Sequence, residues 1–288
     1  MKVYGVDFTS RPTRRKPIIC AECSLIDDKL LFVGLKKWHC FTEFESALRK
    51  PGPWIAGIDL PFGQSRKFIE EIYWPDTWQG YVSHAKQLSR KGFKSALDDY
   101  RKPRKYGDKE HRRATDVAAS SISPQKLYGT PVGYMFFEGA PRLLEAGVSI
   151  PRLQQGDPDR VVVEAYPGVL ARSIIGRRSY KQDTKKKQTT MQRQAREHLL
   201  RAILYEVIRE DYGFSVDAPM CLADDPTGDK LDALLCGIQA AWAWTQRDRN
   251  YGAPTETDPL EGWIADPLVC ENQRARQSQS APPVKRFS

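Results

Sequence analysis

The sequence predicts an α/β domain in which a sheet of short strands is flanked by helices, and three observations carry that prediction. Three short apolar runs each end in a carboxylate: Val3-Tyr4-Gly5-Val6-Asp7, Trp54-Ile55-Ala56-Gly57-Ile58-Asp59 and Val161-Val162-Val163-Glu164. Apolar runs of this kind read as buried strands. The elements run β-β-β-α-β, then a long insert, then β-α-α, which mixes the two element types within one layered unit. Finally, a strongly apolar helical stripe over 229–245 carries Asp229 and Asp232 at i and i+3 near its start.

Taken in order, residues 2–8 form the first predicted strand, 17–25 the second and 29–36 the third. Asp27-Asp28 marks the turn between the last two, so the chain opens as an antiparallel meander. Thr42 is expected to cap a short amphipathic helix from Phe44 to Arg49, which Pro51-Gly52-Pro53 ends before the buried strand 54–60. An insert over 62–160 follows, in which helical periodicity alternates with polar, basic loops. Strand 160–165 leads through Tyr166-Pro167 into a short helix that Gly176 can end, with Pro167 where a first-turn proline is tolerated. Residues 177–196 carry Arg177, Arg178, Lys181, Lys185, Lys186 and Lys187 ahead of a helix over 190–210, and read most simply as a flexible loop. Asp224-Asp225-Pro226-Thr227-Gly228 announces the helix 229–245, where Leu231, Leu234, Leu235, Ile238, Ala241 and Trp242 follow the spacing of a buried stripe.

At 288 residues the chain can bury a sizeable core as one large domain or two small ones. Residues 1–249 are read as a single domain and 250–288 as an extension rich in Pro, Gly, Ser, Gln and Arg, with 271–288 a disordered tail. The formal net charge of +9 and pI near 9.2 favour a polyanionic partner, of which nucleic acid is the commonest. No apolar run approaches the roughly 20 residues that cross a bilayer, and the N-terminus enters a strand without a signal-peptide core. A cytoplasmic protein that does not associate with membranes is therefore expected. Cys20 and Cys23 make a C-x-x-C followed by His39-Cys40, a spacing superficially suited to zinc. They fall on a predicted strand, where i and i+3 point to opposite faces, so the cysteines are read as reduced, partly buried thiols.

The first half of the insert holds Lys86, Arg90, Lys91, Lys94, Arg101, Lys102, Arg104, Lys105, Lys109, Arg112 and Arg113, interleaved with Trp74, Trp78, Tyr81, Phe93, Tyr100 and Tyr106. Two readings stand side by side. Basic groups with aromatics between them suit phosphate contacts and base stacking, and they equally suit a solvated helical face whose aromatics point into the core. Because the insert leaves the sheet just after Asp59 and returns just before the strand that ends in Glu164, it can fold over that end of the sheet. Lys94, Arg101, Arg104 and Lys105 are then expected to clamp a nucleic-acid backbone.

The carboxylates carry the chemistry. Burying several acids together desolvates them and sets them against one another, so a protein does it where a divalent cation neutralises them. Alternation puts Asp7 on the face of Val3 and Gly5, and Asp59 on the face of Ile55 and Gly57. If those strands are parallel neighbours, about 4.8 Å apart, the two carboxylates can share one ion. His39, His84, His111 and His198 lie outside these motifs and are read as surface groups.

With Gly5-Val6-Asp7 on the first strand, Ile58-Asp59-Leu60-Pro61 on the fourth, Glu164-Ala165-Tyr166-Pro167 on the fifth and Gly228-Asp229-Lys230-Leu231-Asp232-Ala233-Leu234 on the last helix, the chain resembles the ribonuclease H-like fold. More closely, it is similar over roughly 2–245 to domain-of-unknown-function family 429, described as predicted nucleases of that fold. The resemblance implies a mixed five-stranded sheet in the order 3-2-1-4-5, flanked by helices, with the large mainly helical insert between strands 4 and 5. It also implies a nuclease that hydrolyses phosphodiesters of DNA or RNA by in-line attack of a metal-activated water, using two Mg²⁺ or Mn²⁺ ions. Carried over by position, the metal ligands are Asp7, Asp59 and Asp232, with Asp229 in addition, and the catalytic set is Asp7, Asp59, Glu164 and Asp232. Glu164 is not a standard ligand of the wider fold and would act from behind the ligands. Two rivals are an actin- or sugar-kinase-like phosphotransferase, for which the chain lacks a second glycine-rich phosphate turn, and a non-catalytic nucleic-acid-binding protein.

Overall fold

The computed structural model describes residues 1–205 and 208–280. The strands are β1 (Lys2–Asp7), β2 (Ile18–Ile26), β3 (Lys29–Trp38), β4 (Trp54–Ile58), β5 (Val148–Ser149), β6 (Asp157–Glu164) and β7 (Ser215–Asp217). Between β3 and β4 lies α1 (Phe41–Leu48). The insert supplies α2 (Arg66–Glu71), α3 (Trp78–Gln87), α4 (Arg90–Arg101), α5 (Ala114–Ala118) and α6 (Val132–Ala146). After β6 come α7 (Pro167–Ile175), α8 (Thr190–Tyr205), α9 (Ile208–Tyr212), α10 (Asp229–Thr245) and α11 (Pro267–Ser280).

The protein is α/β with one mixed seven-stranded sheet, ordered β5-β6-β4-β1-β2-β3-β7. The expectation of five strands is corrected by the two edge strands β5 and β7, which at two and three residues are too short to show a period in the sequence. β2 is antiparallel to β1 and β3, while β1, β4 and β6 run parallel. One face packs α7, α8 and α10 around Val3, Ile55, Val161 and Val163; the other packs α1 and the insert helices around Val6, Ile58 and Val162. Cys20 and Cys23 fall into these two different layers, as strand alternation requires.

Three sequence expectations move. Thr42 lies inside the first turn of α1 instead of capping it; the Glu43 carboxylate reaches back to accept from the His39 amide at 2.6 Å and covers the helix start. The helix expected over 190–210 is α8, and residues 206 and 207 lie outside the described residues. Beyond residue 250 the chain packs on the domain: Asp258 pairs with Arg66 at 2.5 Å, the Leu260 carbonyl accepts from Tyr81 Oη at 2.6 Å, and Trp263 meets Trp242 edge-on. Residues 271–280, expected to be disordered, belong to α11; 281–288 lie outside the described residues. Buried Asp266 starts α11 by accepting from the Leu268 amide at 3.0 Å, with Pro267 at the first helical position.

α10 lies directly on the backbone of β1 and β4. Gly5 and Gly57 are register partners under it, and a Cβ on Gly5 would meet the Ala233 carbonyl oxygen at 1.9 Å, while one on Gly57 would meet that of Cys236 at 2.3 Å. Neither atom can retreat without breaking helix geometry. Gly5→Ala should therefore lower stability by about 3 kcal/mol or more, at or beyond the upper end of overpacking costs. Gly34→Ala on β3, where a Cβ meets nothing within 4 Å, should be tolerated. Chemical denaturation of the two variants checks this contrast.

Candidate functional site

Asp7 ends β1, and Asp59 follows directly on β4; the strands are parallel neighbours, and the Asp59 amide donates to the Val6 carbonyl at 2.9 Å. Both residues share the parity of Gly5 and Gly57, so their side chains rise on the α10 side of the sheet. The close seating on the glycines brings the first turn of α10 down over them, with Asp229 partly buried and Asp232 fully buried. Asp7, Asp59 and Asp229 line a cavity of about 500 Å³ at the carboxyl ends of the strands, where open α/β sheets place their ligands. Its walls also hold Thr9, Ser10, Thr130 and Gln182. Asp232 lies behind this lining. Its two oxygens accept from Tyr180 Oη and Lys181 Nζ, each at 2.5 Å.

Burial, followed by the charges of Asp232, Asp229 and Asp59, pushes the Asp7 carboxyl well above the usual carboxylate range, against the pull of Lys181. Asp59 is pushed up to about 7, chiefly by burial, with Lys181 lowering it and Asp232 and Glu164 raising it. Asp229 is also raised by burial and is held down mainly by Lys16, whose ammonium lies 3.8 Å away. For Lys181, burial works against the ammonium, but Asp232 and Tyr180 outweigh it and hold the charge well above the ordinary lysine range. The site is thus a group of acids with two lysines set among them. Neither lysine was singled out from the sequence as a site residue: Lys16 stands in an arginine-rich loop and Lys181 in a basic run. The stretch around Lys181, expected to be a flexible loop, is tied down, since Arg196 donates to the Tyr180 carbonyl at 2.8 Å and the Gln182 amide to that of Pro226 at 3.0 Å.

The donor set suits a hard divalent cation. Asp7 and Asp59 are adjacent carboxylates with raised pKa values, and neither accepts a hydrogen bond or forms an ion pair among the described residues. Among those residues no three His, Cys, Asp or Glu side chains converge as a ready metal cage, and Asp232 is turned into Tyr180 and Lys181.

Glu164 is set apart from that cavity, in a smaller pocket that Asp59, Arg113 and Asp116 also line. It is absent from the cavity lining and accepts from both terminal nitrogens of Arg113, at 2.8 and 2.5 Å, and from the Phe62 amide at 2.9 Å. Arg113 is itself buried and pairs also with Asp116 at 2.8 Å. Arg113, counted in the sequence among the phosphate-contacting bases, and Glu164, counted as catalytic, thus form a closed ionic network that joins the insert to β6.

The basic insert does not present the expected clamp at the acids. None of Lys94, Arg101, Arg104 and Lys105 lines the cavity. Lys94 pairs with Asp98 one turn away, Arg101 with Glu110 at 3.0 Å, and Arg104 with Glu71 at 2.9 Å while stacking over Tyr100; Lys105 is exposed. The interleaved aromatics Trp74, Trp78, Tyr81, Phe93 and Tyr100 are in the core, and Tyr106 is fully exposed. His111, read as a surface group, is largely buried and hydrogen-bonds Tyr100 Oη at 2.7 Å.

Two outcomes follow from these charges. A raised carboxyl pKa means that the folded chain binds more protons than the unfolded chain between about pH 4 and the folded value of about 7 for Asp59. The contribution of Asp7 and Asp59 to metal-free stability therefore falls as pH rises through that window. Asp59→Asn should flatten this slope and raise the melting temperature near neutral pH by about 2–4 °C, the shift that ~1 kcal/mol makes in a chain of this size. Thermal melts in chelator across the window test it, and an unchanged slope contradicts the assignment. Arg113→Met leaves Glu164 and Asp116 buried without their cation and should cost about 3–5 kcal/mol. Urea unfolding measures that loss.

The family model described as protein of unknown function (DUF429) matches residues 5–257, a span that includes every element from the end of β1 through α10. No curated protein and no solved structure was found to match the chain. On the extent of the family match, this chain belongs to domain-of-unknown-function family 429.

Proposed function

We propose that the chain is a divalent-cation-dependent nuclease that hydrolyses nucleic-acid phosphodiesters in the cavity over Asp7 and Asp59. The observation that carries this reading is the pair of neighbouring carboxylates with raised pKa values and no protein donor, at the carboxyl ends of two parallel strands. Such a pair is stable only when protonated or when it holds a cation. The run β3-β2-β1-β4-β6 inside the sheet, with β2 alone reversed, supports a ribonuclease H-like arrangement of the core.

Asp7 and Asp59 would hold Mg²⁺ or Mn²⁺, with Asp229 within the same cavity. A cation bound there would lower the pKa of a water and offset charge on the leaving oxygen. The chain's own groups do the rest. Thr9, Ser10 and Gln182 offer hydrogen-bond donors along the cavity wall, and Lys16 and Lys181 place ammonium groups where a phosphate would enter among carboxylates. The loop that delivers Lys16 exposes Arg11, Arg14 and Arg15, and the loop that delivers Lys181 exposes Arg177, Lys186 and Lys187. These six make no ion pair among the described residues, so the loops that deliver Lys16 and Lys181 offer charge to a polyanion that the paired Arg101 and Arg104 do not.

Cleavage of labelled DNA and RNA oligonucleotides with and without Mn²⁺ tests the reading. Asp7→Asn should lower turnover by at least about 100-fold, the loss seen even for groups that merely support a metal ligand. Wild-type turnover in that variant on every substrate cleaved by the parent overturns it. Arg11→Ala/Arg14→Ala/Arg15→Ala should weaken nucleic-acid binding and shallow its dependence on salt, by a slope of roughly 0.9 for each phosphate no longer neutralised. Unaltered affinity and slope remove these three residues from the interface.

A further inference from the structure

Asp232 is the only one of the four predicted metal ligands whose carboxylate is fully engaged by the protein. One oxygen accepts from Tyr180 Oη and the other from Lys181 Nζ, each at 2.5 Å, and the residue has no exposed surface. Lys181, by contrast, keeps a half-exposed side chain and lines the cavity that Asp7, Asp59 and Asp229 share. Its ammonium is bonded to Asp232 and also acts on the charges of Asp7 and Asp59, so a cation of the protein already occupies the Asp232 side of the group.

This placement is built into the fold. Buried Arg196 anchors the Tyr180 carbonyl at 2.8 Å, and the Gln182 amide donates to Pro226 at 3.0 Å, so the residues on either side of Lys181 are both pinned to neighbouring elements. The backbone at Gly228, which caps α10 in the left-handed conformation with φ of 79°, lies so close that a Cβ there would meet Lys181 Cβ at 2.9 Å. Lys16 is shared between Asp183 at 3.1 Å and Asp229 at 3.8 Å, so Lys181 is the cation that answers Asp232.

We infer that Lys181 is a built-in cation on Asp232, so that the site takes one divalent ion, on Asp7 and Asp59, in place of two. The inference rests on the reading of this cavity as a divalent-cation site and concerns how many ions it takes. In that arrangement a bound phosphodiester meets one metal ion and one ammonium. Lys181 is the group that bears on the charge of the phosphate opposite the metal, as a point charge with three donors.

Titration of the metal-free full chain with MnCl₂, by calorimetry and by the electron paramagnetic resonance signal of free Mn²⁺, decides the matter without any substrate. The wild type should bind one Mn²⁺ per chain. Lys181→Arg, which keeps the cation, should also bind one, and Lys181→Ala should bind two, the second lost again in Lys181→Ala/Asp232→Asn. Two ions on the wild type overturn the inference and leave the metal reading standing. A folded wild type that binds no Mn²⁺ overturns both. Should Lys181→Ala not fold, the wild type and Lys181→Arg still decide, because each has a single expected count.

Discussion

The structure depends on one interaction, the backbone-to-backbone seating of α10 across β1 and β4. Gly5 and Gly57 remove the side chains that would hold the helix at the usual distance from the sheet, and the missing methyls leave no slack, with carbonyl oxygens of α10 within 1.9 to 2.3 Å of where a Cβ would stand. Close seating buries Leu231, Leu234, Leu235 and Ile238 fully, so a polar consequence is imposed by an apolar driving force. The first turn of the helix, with its two aspartates, is pressed onto the ends of the two strands that carry Asp7 and Asp59. Apolar burial along the helix holds together acids that on their own would move apart.

Two ionic arrangements result, a short way apart and with opposite character. Arg113, Glu164 and Asp116 form a buried network in which the guanidinium donates to both carboxylates, and its members are satisfied by one another and by backbone amides. Such a network joins elements, here the insert and β6, and each of its carboxylate oxygens already accepts from a protein donor. At Asp7 and Asp59 the reverse holds: carboxylates are desolvated and close to other carboxylates, and no donor answers them among the described residues. Glu164 and Asp116 are buried and their charges are answered within the protein, whereas Asp7 and Asp59 are half-buried, face the cavity and are left unanswered.

The same distinction sorts the cations. The net charge of +9 is spread over the chain, and much of what looks like a basic, aromatic-rich binding face in the insert is used in folding. Arg101, Arg104 and Arg113 hold neighbouring loops through carboxylates, and Trp74, Trp78, Tyr81, Phe93 and Tyr100 fill the second core layer. Lys16 and Lys181, from two loops far apart in sequence, meet at the acids instead.

The sequence by itself determined the α/β class, the boundaries of the central strands to within three residues, the buried stripe of α10 and the placing of Asp7 and Asp59 at neighbouring strand ends. These features are local: alternation, apolar runs and the identity of the residue at a strand end can be read within a window of ten residues or so. It also placed Cys20 and Cys23 on opposite faces, again by alternation alone. Edge strands β5 and β7 and helix α11 escaped because each is too short or too polar to carry a period, and their formation follows from neighbours already in place. What only the tertiary structure decided is which charges meet. Asp232 lies 51 residues from Lys181, and Glu164 lies 51 residues from Arg113, and nothing in either segment marks Lys181 as a cation on the cavity and Arg113 as the centre of a buried ionic network. Long-range pairing of like residue types carries no periodic signature, because electrostatic partners are selected by the packing of the apolar faces and not by the spacing of the charges themselves.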